Sequence, residues 1–476
     1  MGSKPVQMYK LEGEETCCDC KIYNVVPFIP RKKDAQWSCR GGVHEASITQ
    51  EIGLHSVCFM YLSTLFSKTS KEKQEDADSR NADLLTRAGY IAKTMAGVYS
   101  YLPLGVRVLK NIECIVREEM GAIGGQEVLL SALSPREAWQ KTGRWDAFDA
   151  LFQLSGAADQ EYALNPTHEE IVTPLVQQYV HSYRDLPFGC YQIQTKFRKE
   201  LRAKSGLLRG REFLMKDLYS FHCSEECLEK YYEKVQGAYE RIFERSGLKD
   251  RTYLTFASGG SFSQYSHEYQ ILLETGEDTI YVSEDAEREG KRIAINKEIY
   301  EEGKTRCPIT GGLAFREERG SEAANIFKLG TRFSEAFDLH FLDEKNEQQL
   351  VVMGCYGLGI SRVLGILVEA FADEKGLVWP ESIAPYAYHI IPLAKKKEDH
   401  VYMKALEVYN KLCAEGKGCL FDDRIDQSAG SRFADAELLG IPKRLVISEK
   451  TLLKDEVEVM SRQSGAVQQV RIDSLK

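Results

Sequence analysis

The chain has 476 residues, 43% of them hydrophobic, which is enough for two or three domains with their own cores. Its formal net charge of −9 excludes a basic surface spread over the whole molecule, so any contact with nucleic acid depends on local basic patches. No apolar run is long enough to cross a bilayer. Thirteen cysteines, an odd number, without a secretion signal favour a reducing cytoplasm.

The first 59 residues differ from the rest in composition. They hold five of the thirteen cysteines, Cys17, Cys18, Cys20, Cys39 and Cys58. The CxxC spacing of Cys17 and Cys20 suits zinc, with Cys39, His44, His55 and Cys58 as further ligands, but this second set lacks regular spacing. Acidic residues among the basic ones argue against a transit peptide. We therefore expect residues 1–59 to be a disordered or adventitious extension, with Met60 as an alternative start, and we assign no metal ligands.

Apolar residues recur at helical or strand spacing along the following chain. Before residue 250 the pattern predicts a helix over 104–120, a strand at Gln126–Leu133, a helix at Glu169–Tyr183, strands at Tyr191–Arg198 and Arg211–Leu218, and a helix at Glu225–Ser246. Further on it predicts strands at Asp278–Val282, Phe327–Leu329 and Gln348–Gly354 and a helix at Gly359–Ala372. Apolar and polar residues alternate within Tyr191–Arg198 and Arg211–Leu218, which predicts an antiparallel hairpin with one buried face.

The stretch PESIAP, residues 380–385, is the best domain boundary, because two prolines punctuate it. Strands and helices alternate beyond it. Strands are predicted at Tyr388–Leu393, Cys419–Asp422, Arg444–Ile447 and Glu456–Met460, with helices over about 399–414 and 432–439 between them. This order predicts a small α/β domain.

Basic residues concentrate in the predicted hairpin. Between Lys196 and Lys216, the hairpin and its loop contain only two acidic residues, Glu200 and Glu212. The basic residues of this range are Lys196, Arg198, Lys199, Arg202, Lys204, Arg209, Arg211 and Lys216. Alternate residues of a strand point to one face. An exposed face with so many cations, beside Phe213, suits a polyanion such as a triphosphate. A solvated edge with scattered ion pairs is the alternative interpretation.

Two other segments indicate binding sites. In Gly354–Arg362 (GCYGLGISR) a predicted strand enters a Gly-rich turn that opens an apolar helix, and the helix amides with Arg362 favour phosphate. It is neither a P-loop nor a dinucleotide fingerprint, because no Gly-Lys-Ser/Thr follows and Arg362 stands where a third Gly belongs. Upstream, Thr167 and Glu170 suit a capping box, which leaves Glu169 free as a pocket carboxylate.

The order and spacing of these segments resemble a known family. Phe197-Arg198-Lys199-Glu200 with Arg209-Gly210-Arg211-Glu212-Phe213 resembles motif 2 of class II aminoacyl-tRNA synthetases, about residues 190–218. Gly357–Arg362 resembles motif 3, about residues 350–372. Within that class, PTHEE, YQIQTKFR, REFLMKDLYSFH, SHEYQ and MGCYGLGISR are similar to the bacterial prolyl-tRNA synthetases, as are FDDR and FADAELLGIP near the end. The resemblance runs from about Met60 to the C-terminus.

The resemblance implies an α/β (α+β) fold. Residues 60–385 are expected to form the class II catalytic domain, an antiparallel sheet flanked by helices, and residues 386–476 a small mixed α/β anticodon-binding domain. The implied reaction is ATP-dependent ligation of L-proline to tRNA(Pro) through a prolyl-adenylate, with Mg²⁺ bridging the phosphates. A cytoplasmic homodimer is expected, with neither membrane nor DNA as a partner.

The resemblance also assigns site residues by position. Arg198, Glu200 and Arg362 are expected to be catalytic. The expected ATP contacts are Arg198, Glu200, Arg209, Phe213, Gly357, Gly359 and Arg362. The expected proline contacts are Thr167, Glu169, Arg198, Asp217, Tyr219, Phe221, His267 and Cys355. Adenylate chemistry needs no thiolate, so Cys355 is expected to be a small pocket wall and not a nucleophile.

In the last domain, the expected anticodon contacts are Asp422, Asp423, Arg424 and Arg432, because guanine edges suit carboxylate acceptors and arginine donors. A helix cap and a surface ion pair are the alternative. The chain departs from the family pattern in three places. Ser131 stands where motif 1 usually has proline, the motif 2 loop reads RAKSG, and GGSFSQYS replaces the glycine-rich lead to SHEYQ.

The largest departure is an absence. Bacterial prolyl enzymes often hold an editing domain between motifs 2 and 3, but only a short polar stretch separates Val282 from Cys307 here. A domain needs more chain than this, so we expect none. The alternatives are a threonyl or glycyl enzyme of the same class, a paralogue that binds tRNA or amino acid without charging, and a plain RNA-binding module.

Overall fold

The computed structural model describes residues 60–73, 77–201, 203–259 and 265–475. The predictions for residues 1–59, including the zinc ligands, and for Arg202 lie outside the described residues, as does most of the GGSFSQYS stretch. Within the described ranges, no helix combines the length and the hydropathy required to cross a membrane.

The structure contains helices and strands in roughly equal measure. The helices are α1 (Arg80–Arg87), α2 (Pro103–Ala122), α3 (Arg136–Lys141), α4 (Glu169–Val176), α5 (Glu225–Arg245), α6 (Glu284–Arg288), α7 (Arg332–Phe337), α8 (Ile360–Phe371), α9 (His400–Ala414), α10 (Ala429–Leu439) and α11 (Glu449–Leu452). The strands are β1 (Met60–Tyr61), β2 (Ile91–Met95), β3 (Val98–Tyr101), β4 (Gly125–Glu127), β5 (Leu133–Pro135), β6 (Phe152–Ser155), β7 (Glu161–Leu164), β8 (Phe188–Phe197), β9 (Glu212–His222), β10 (Thr252–Ser258), β11 (Tyr265–Leu272), β12 (Asp278–Ser283), β13 (Ile293–Asn296), β14 (Phe315–Gly330), β15 (His340–Leu342), β16 (Gln348–Leu350), β17 (Val352–Gly359), β18 (Tyr388–Pro392), β19 (Cys419–Phe421), β20 (Lys443–Ile447), β21 (Glu456–Ser461) and β22 (Val467–Arg471).

A nine-stranded sheet forms the larger part of the molecule. Its order is β11-β10-β13-β12-β14-β17-β9-β8-β4, and all neighbours are antiparallel except β10 with β13 and β4 with β8. The long helices α2, α5 and α8 share one apolar core with this sheet. The predicted antiparallel sheet flanked by helices is therefore confirmed.

The two faces of the sheet bury different side chains, because successive residues of a strand point in opposite directions. In β9, Leu218 packs into the core under α2, α5 and α8. Its neighbours Tyr219 and Phe221 pack into a separate core with α4 and α7. The second face carries the predicted site residues of β9 and β17, on the opposite side from the three long helices.

A second sheet of six strands lies in the C-terminal part, in the order β1-β19-β18-β20-β21-β22. The first four strands are parallel, and β21 and β22 are antiparallel. The predicted small α/β arrangement is confirmed, but its first strand comes from Met60–Tyr61, far away in sequence. Two backbone bonds, from Leu377 N to Leu438 O (3.2 Å) and from Trp379 N to Gly440 O (3.2 Å), join this part to the rest.

Several predicted elements have different bounds in the structure. The helix expected over Glu169–Tyr183 ends at Val176, two residues after Pro174, which supplies no amide donor to the helix. The strand expected at Gln126–Leu133 is divided into β4 and β5, and β14 is much longer than the predicted Phe327–Leu329. Strand β17 continues to Gly359 and α8 begins at the next residue, so the expected Gly-rich turn is wrong.

The stretch between β12 and β14 is part of the main sheet. All residues of 283–314 are described, and they form α6, β13, a short 3-10 helix (Lys297–Ile299) and turns. Strand β13 lies between β10 and β12, which explains its burial although most of its surroundings in sequence are charged. No inserted domain interrupts this stretch.

Candidate active site

The site lies on the β8–β9 hairpin and on strand β17 beside it. Register aligns Gln192 with Asp217, Asp217 with Gly357, and Gly357 with Asn325, so one row of residues crosses four strands. The next row contains Tyr219, Cys355 and Phe327. Motifs 2 and 3, about 140 residues apart along the chain, thus form one continuous surface on the second face of the sheet.

An inner cavity of about 190 Å³ lies above this surface. It is lined by Thr167, Arg198, Phe213, Met215, Asp217, Glu322, Ala323, Ala324, Asn325, Phe327, Cys355, Gly357, Gly359 and Arg362. A Cβ atom added at Gly357 would meet nothing closer than 3.7 Å, so the missing side chain leaves open space on the cavity floor. The cavity combines apolar walls with two carboxylates, of Asp217 and Glu322, and two guanidinium groups, of Arg198 and Arg362.

An outer cavity of about 250 Å³ adjoins the first. It is lined by Arg198, Glu200, Arg209, Gly210, Phe213, Glu277, Asp278, Ser321, Glu322 and Arg362. Its walls are strongly polar, and the two cavities share Arg198, Phe213, Glu322 and Arg362. Three guanidinium groups, those of Arg198 and Arg209 from the β8–β9 hairpin and that of Arg362 from α8, therefore meet in one cavity.

Each of these arginines is held by a different partner. Arg362 donates to the backbone oxygen of Glu322 at 2.6 Å and to that of Leu208 at 2.8 Å. Arg209 donates to a carboxylate oxygen of Glu200 at 2.7 Å. The guanidinium carbon of Arg198 lies 5.2 Å from the centre of the Phe213 ring. Burial and the neighbouring Arg362 lower the pKa of Arg198, as expected where two cations face one cavity.

Glu169 stands directly behind the inner cavity wall and is fully buried. Thr167 Oγ1 donates to one of its carboxylate oxygens at 2.6 Å, and Cys355 Sγ donates to the other at 3.3 Å. Burial, with Glu169 nearby, raises the pKa of Cys355 well above its usual value, so the side chain remains a thiol. The predicted wall role suits this protonation state.

Arg144, which sequence reasoning missed, anchors this group from behind. Its Nη1 lies 3.4 Å from Glu169 and 2.9 Å from Glu170, and its guanidinium packs over Phe148 at 4.6 Å. Burial raises the pKa of Glu170 to about 7, although Arg144 opposes the shift. No motif marks Arg144 in the sequence, because its partners come from another element.

A second buried network fixes Asp217. Lys196 Nζ lies 2.7 Å from Asp217 Oδ1 and 2.7 Å from His168 Nδ1. Burial and the Lys196 ammonium lower the pKa of His168 to about 4, so the ring is neutral. Neutral His168 therefore accepts from Lys196 at Nδ1 and donates from Nε2 to Ser131 O at 2.9 Å. Burial alone would raise the pKa of Asp217, but the Lys196 ammonium holds it below its usual value.

The expected exposed basic face of the hairpin is wrong for two of its lysines. Lys196 and Lys216 are completely buried, so they do not belong to an exposed basic face. Lys216 Nζ donates to Tyr239 OH and to Tyr356 O, on the opposite side of β9 from the cavities. Of the seven predicted cations that the structure describes, those that face the outer cavity are Arg198 and Arg209.

Three predicted proline contacts do not reach the cavity wall. Tyr219 is buried beneath it, where its hydroxyl accepts from His168 N at 2.9 Å. Phe221 stacks on Phe188 at 5.0 Å, farther from the cavity. His267 lies on β11, where Nδ1 meets Tyr232 OH at 2.8 Å and the ring contacts Phe256. Their expected role as direct contacts is therefore not supported by their positions.

The outer cavity is also lined by acidic residues that the sequence analysis did not single out. Glu277, Asp278 and Glu322 face it, and Gln270 Nε2 donates to both Asp278 and the buried Glu268 at 2.9 Å. Burial and nearby Glu322 raise the pKa of Glu268 to about 8. Among the described residues, no group of three or more His, Cys, Asp and Glu is arranged to hold a metal ion without other ligands.

The four predicted anticodon residues separate into two groups. Asp422 and Arg432 are buried, at 0% and 2% exposure, and their side chains pair at 3.1 Å. Arg432 also donates to Pro392 O and Asp422 O. These two residues have no surface for a base edge, so their predicted role is wrong. Asp423 and Arg424 do line an open groove.

The fold and the paired cavities define a class II aminoacyl-tRNA synthetase. Residues 152–371 match the family model of the tRNA synthetase class II core domain (G, H, P, S and T), and residues 388–476 match that of the anticodon binding domain. The fold is similar to that of a Giardia lamblia prolyl-tRNA synthetase in complex with prolyl-adenylate. That likeness has a TM-score of 0.69 at 21% identity and covers 83% of this chain and 75% of that one.

Curated relatives specify the family within this class. A Proline--tRNA ligase of Syntrophomonas wolfei is 34% identical over 87% of this chain and 98% of its own length. One from Bacillus cereus (strain AH820) is 33% identical over 88% of this chain and 99% of its own length. The chain belongs to the proline-tRNA ligase family. The threonyl, glycyl and non-charging alternatives are thereby set aside.

The alignments also bear on the absent editing domain. The alignment with the first relative spans 561 positions, more than the 476 residues of this chain, so that relative carries residues that this chain lacks. The short, fully described stretch between β12 and β14 agrees with this difference.

Proposed function

We propose that the inner cavity binds proline and that the outer cavity binds the phosphates of ATP, so that adenylate forms where they meet. A carboxylate oxygen of proline attacks the α-phosphorus, the bond to the bridging oxygen breaks, and pyrophosphate leaves. The terminal ribose hydroxyl of tRNA(Pro) then attacks the carbonyl carbon of prolyl-adenylate, and AMP leaves. Both steps depend on positioning and charge neutralisation and need no protein nucleophile.

The convergence of Arg198, Arg209 and Arg362 carries this proposal. Arg198 borders both cavities, so it can contact the α-phosphate and the proline carboxylate together. Arg209 and Arg362 are left for the outer phosphates. Phe213 supports the adenine ring, with Arg362 on its other face.

The remaining contacts follow from the cavity walls. Glu200 accepts a hydrogen bond from the nucleotide, and Gly357 and Gly359 let it approach the sheet. Asp217 and Thr167 face the secondary ammonium of proline, with Glu169 behind Thr167. Cys355 and Phe327 supply the apolar wall for the ring.

Mg²⁺ fits the outer cavity as a partner of the phosphates. Mg²⁺ usually takes one or two carboxylates and completes its shell with phosphate oxygens and water. Asp278 and Glu322 provide two such carboxylates, and burial together with Glu322 raises the pKa of Asp278, as expected where carboxylates crowd. These two residues would hold the ion, whose charge offsets that of the triphosphate.

Two finer parts of the proposal concern assembly and location. We propose a homodimer, supported by the exposure of Leu129 (78%) and Leu133 (46%) on either side of the motif 1 position. Sedimentation velocity that detects only monomer would contradict it.

We also propose a cytoplasmic location, supported by the free thiols of all eight described cysteines.

Proline-dependent exchange of pyrophosphate into ATP tests the proposal. We expect exchange to require proline and Mg²⁺, and Arg198→Ala to lower its rate by about 10²–10³-fold, because one charge contact to the transition state is lost. Arg184→Ala removes an exposed surface arginine and is the matched control, which should retain full exchange. Exchange at the same rate with and without proline would refute the assignment. So would an Arg198→Ala enzyme whose exchange rate equals that of the control.

A further inference from the structure

An open groove of about 590 Å³ lies at the edge of the six-stranded sheet, away from both cavities. It is lined by Ser63, Lys68, Thr69, Lys71, Lys397, Asp423, Arg424, Ile425, Asp426, Gln427, Ser431 and Asp435. Asp423 follows β19 and Lys397 follows β18, so the groove is at the carboxyl ends of the parallel strands. That edge is where ligands usually bind on parallel sheets.

One wall of the groove is made by residues 60–73, named here the N-terminal strap. Its strand β1 pairs in parallel with β19, with Met60 opposite Leu420 and Tyr61 opposite Phe421. Parallel pairing brings the residues that follow both strands together at the same edge. The strap therefore reaches the groove beside Asp423, although some 360 residues of chain separate them.

Polar contacts and burial fix the strap in place. Ser63 donates from its backbone nitrogen (3.0 Å) and from Oγ (2.7 Å) to the two oxygens of Asp423. Thr69 Oγ1 donates to Asp435 at 2.9 Å. Leu62 and Leu65 are buried in the main core, at 6% and 3% exposure. The strap is therefore a built wall of the groove.

The groove is lined by charges of both signs. Ser63 satisfies Asp423, while Thr69 and Arg424 satisfy Asp435, the latter at 2.9 Å. Four cations line the groove, namely Lys68, Lys71, Lys397 and Arg424. Three acidic residues, Asp423, Asp426 and Asp435, also line it, so its lining has a formal charge of +1 on a protein whose overall charge is −9.

The strap also carries an exposed aromatic ring. Phe66, next to the buried Leu65, exposes 74% of its surface. It stands two residues from Lys68 and five from Lys71. Cations that follow a backbone, with an aromatic ring on which an unstacked base can lie, are the combination that binds single-stranded RNA.

We propose that the N-terminal strap is part of the tRNA-binding surface. Lys68 and Lys71 contact phosphates of a single-stranded RNA loop that occupies the groove, and Phe66 stacks on one of its bases. This assignment rests on the proposed function, in which tRNA is a substrate. It adds contacts from residues 60–73 to those of Asp423 and Arg424, for which the sequence predicted RNA contact.

Salt-dependent binding of a tRNA(Pro) transcript tests the strap. Each phosphate contact on single-stranded RNA contributes about 0.7 to the slope of log Kd against log salt concentration. We expect Lys71→Ala to lower that slope by about 0.7, and Lys68→Ala/Lys71→Ala by about 1.4. Phe66→Ala should weaken binding about tenfold or more and leave the slope unchanged, because stacking displaces no counterion.

Lys417→Ala is the charge-matched control. Lys417 is exposed and precedes β19, so it lies at the opposite edge of the same sheet, and its loss should not change the slope. Lys68 Nζ donates to Ser63 O and Leu65 O. Lys68→Arg, which keeps the charge, therefore checks that any loss comes from RNA contact and not from a loosened strap.

The outcomes separate this inference from the proposed function. Pyrophosphate exchange needs no tRNA, so every strap variant should retain the wild-type exchange rate. If the wild-type chain shows no proline-dependent exchange, the proposed function fails. If exchange is intact but Lys71→Ala behaves like Lys417→Ala, or Phe66→Ala binds tRNA as tightly as wild type, the strap assignment is overturned.

Discussion

At the scale of single residues, Lys216 is a cation buried in the core without a carboxylate in ion-pair contact among the described residues. Burial lowers its pKa to about 7, whereas the unfolded chain keeps the ordinary value near 10.5. Between these values the unfolded state binds one more proton than the folded state. Stability should therefore rise with pH across this window, by at most about 1.4 kcal/mol per pH unit.

The variant Lys216→Met isolates this effect. We expect its stability deficit relative to wild type, measured by urea unfolding, to widen as the pH rises from 7 to 9.5. Methionine has a similar length and no titrating group, while the hydrogen bonds to Tyr239 and Tyr356 are lost at every pH. A deficit that stays constant over the window would show that Lys216 titrates normally in the folded protein.

Sequence reasoning identified the residues of the cavities better than their environments. Arg198 and Arg362 were predicted from the resemblance to motifs 2 and 3, and the structure brings them into one cavity. Lys196 and Lys216 belong to the same basic cluster in sequence, yet the pleat of β8 and β9 buries both. A cation's burial depends on the elements packed against its strand, and periodicity alone does not contain that information.

At the scale of elements, two glycines of strand β17 are expected to have different roles. One leaves room for a ligand, and the other is required by the packing of the fold. A Cβ at Gly357 would meet Asn325 O and Met215 Sδ at an ordinary 3.7 Å, whereas one at Gly354 would lie 2.4 Å from the Tyr356 hydroxyl. We expect Gly357→Ala to fold normally but to lose tenfold or more in exchange activity, because its methyl group enters the inner cavity. Gly354→Ala should lower the free energy of unfolding by about 1–3 kcal/mol through overpacking.

Thermal unfolding and pyrophosphate exchange, measured on both variants, decide the point. Gly354→Ala serves as the control for a glycine required by packing. A Gly357→Ala protein that exchanges at the wild-type rate would show that nothing approaches the sheet there.

The bounds of elements with strong hydrophobic periodicity were predicted closely. Elements that form only because of the strands beside them were not predicted. Helix α5 was expected at Glu225–Ser246 and extends over Glu225–Arg245, because its apolar stripe continues without a break. Strand β13 was interpreted as polar linker, since its four residues stand between charged segments and become a strand only by lying between β10 and β12. Strand β1 could not be predicted either, because a two-residue strand has no periodicity.

At the scale of the whole molecule, the chain joins a catalytic sheet to an anticodon-type domain and carries no domain between motifs 2 and 3. Among the described residues, those that can select against smaller amino acids are then the residues of the inner cavity. A missing methylene typically discriminates by only about 1–3 kcal/mol. Alanine, which lacks the ring of proline, would therefore be activated at a measurable rate.

The consequence is that alanine joined to tRNA(Pro) by this enzyme should stay attached. We expect purified chain to leave Ala-tRNA(Pro) intact, with the ester decaying at the rate seen in buffer, because no editing domain lies between motifs 2 and 3 to hydrolyse it. The same preparation must charge proline, which shows that the protein is active. Enzyme-dependent loss of alanine faster than the buffer rate would mean that the synthetic cavity, or a surface outside the described residues, hydrolyses the ester.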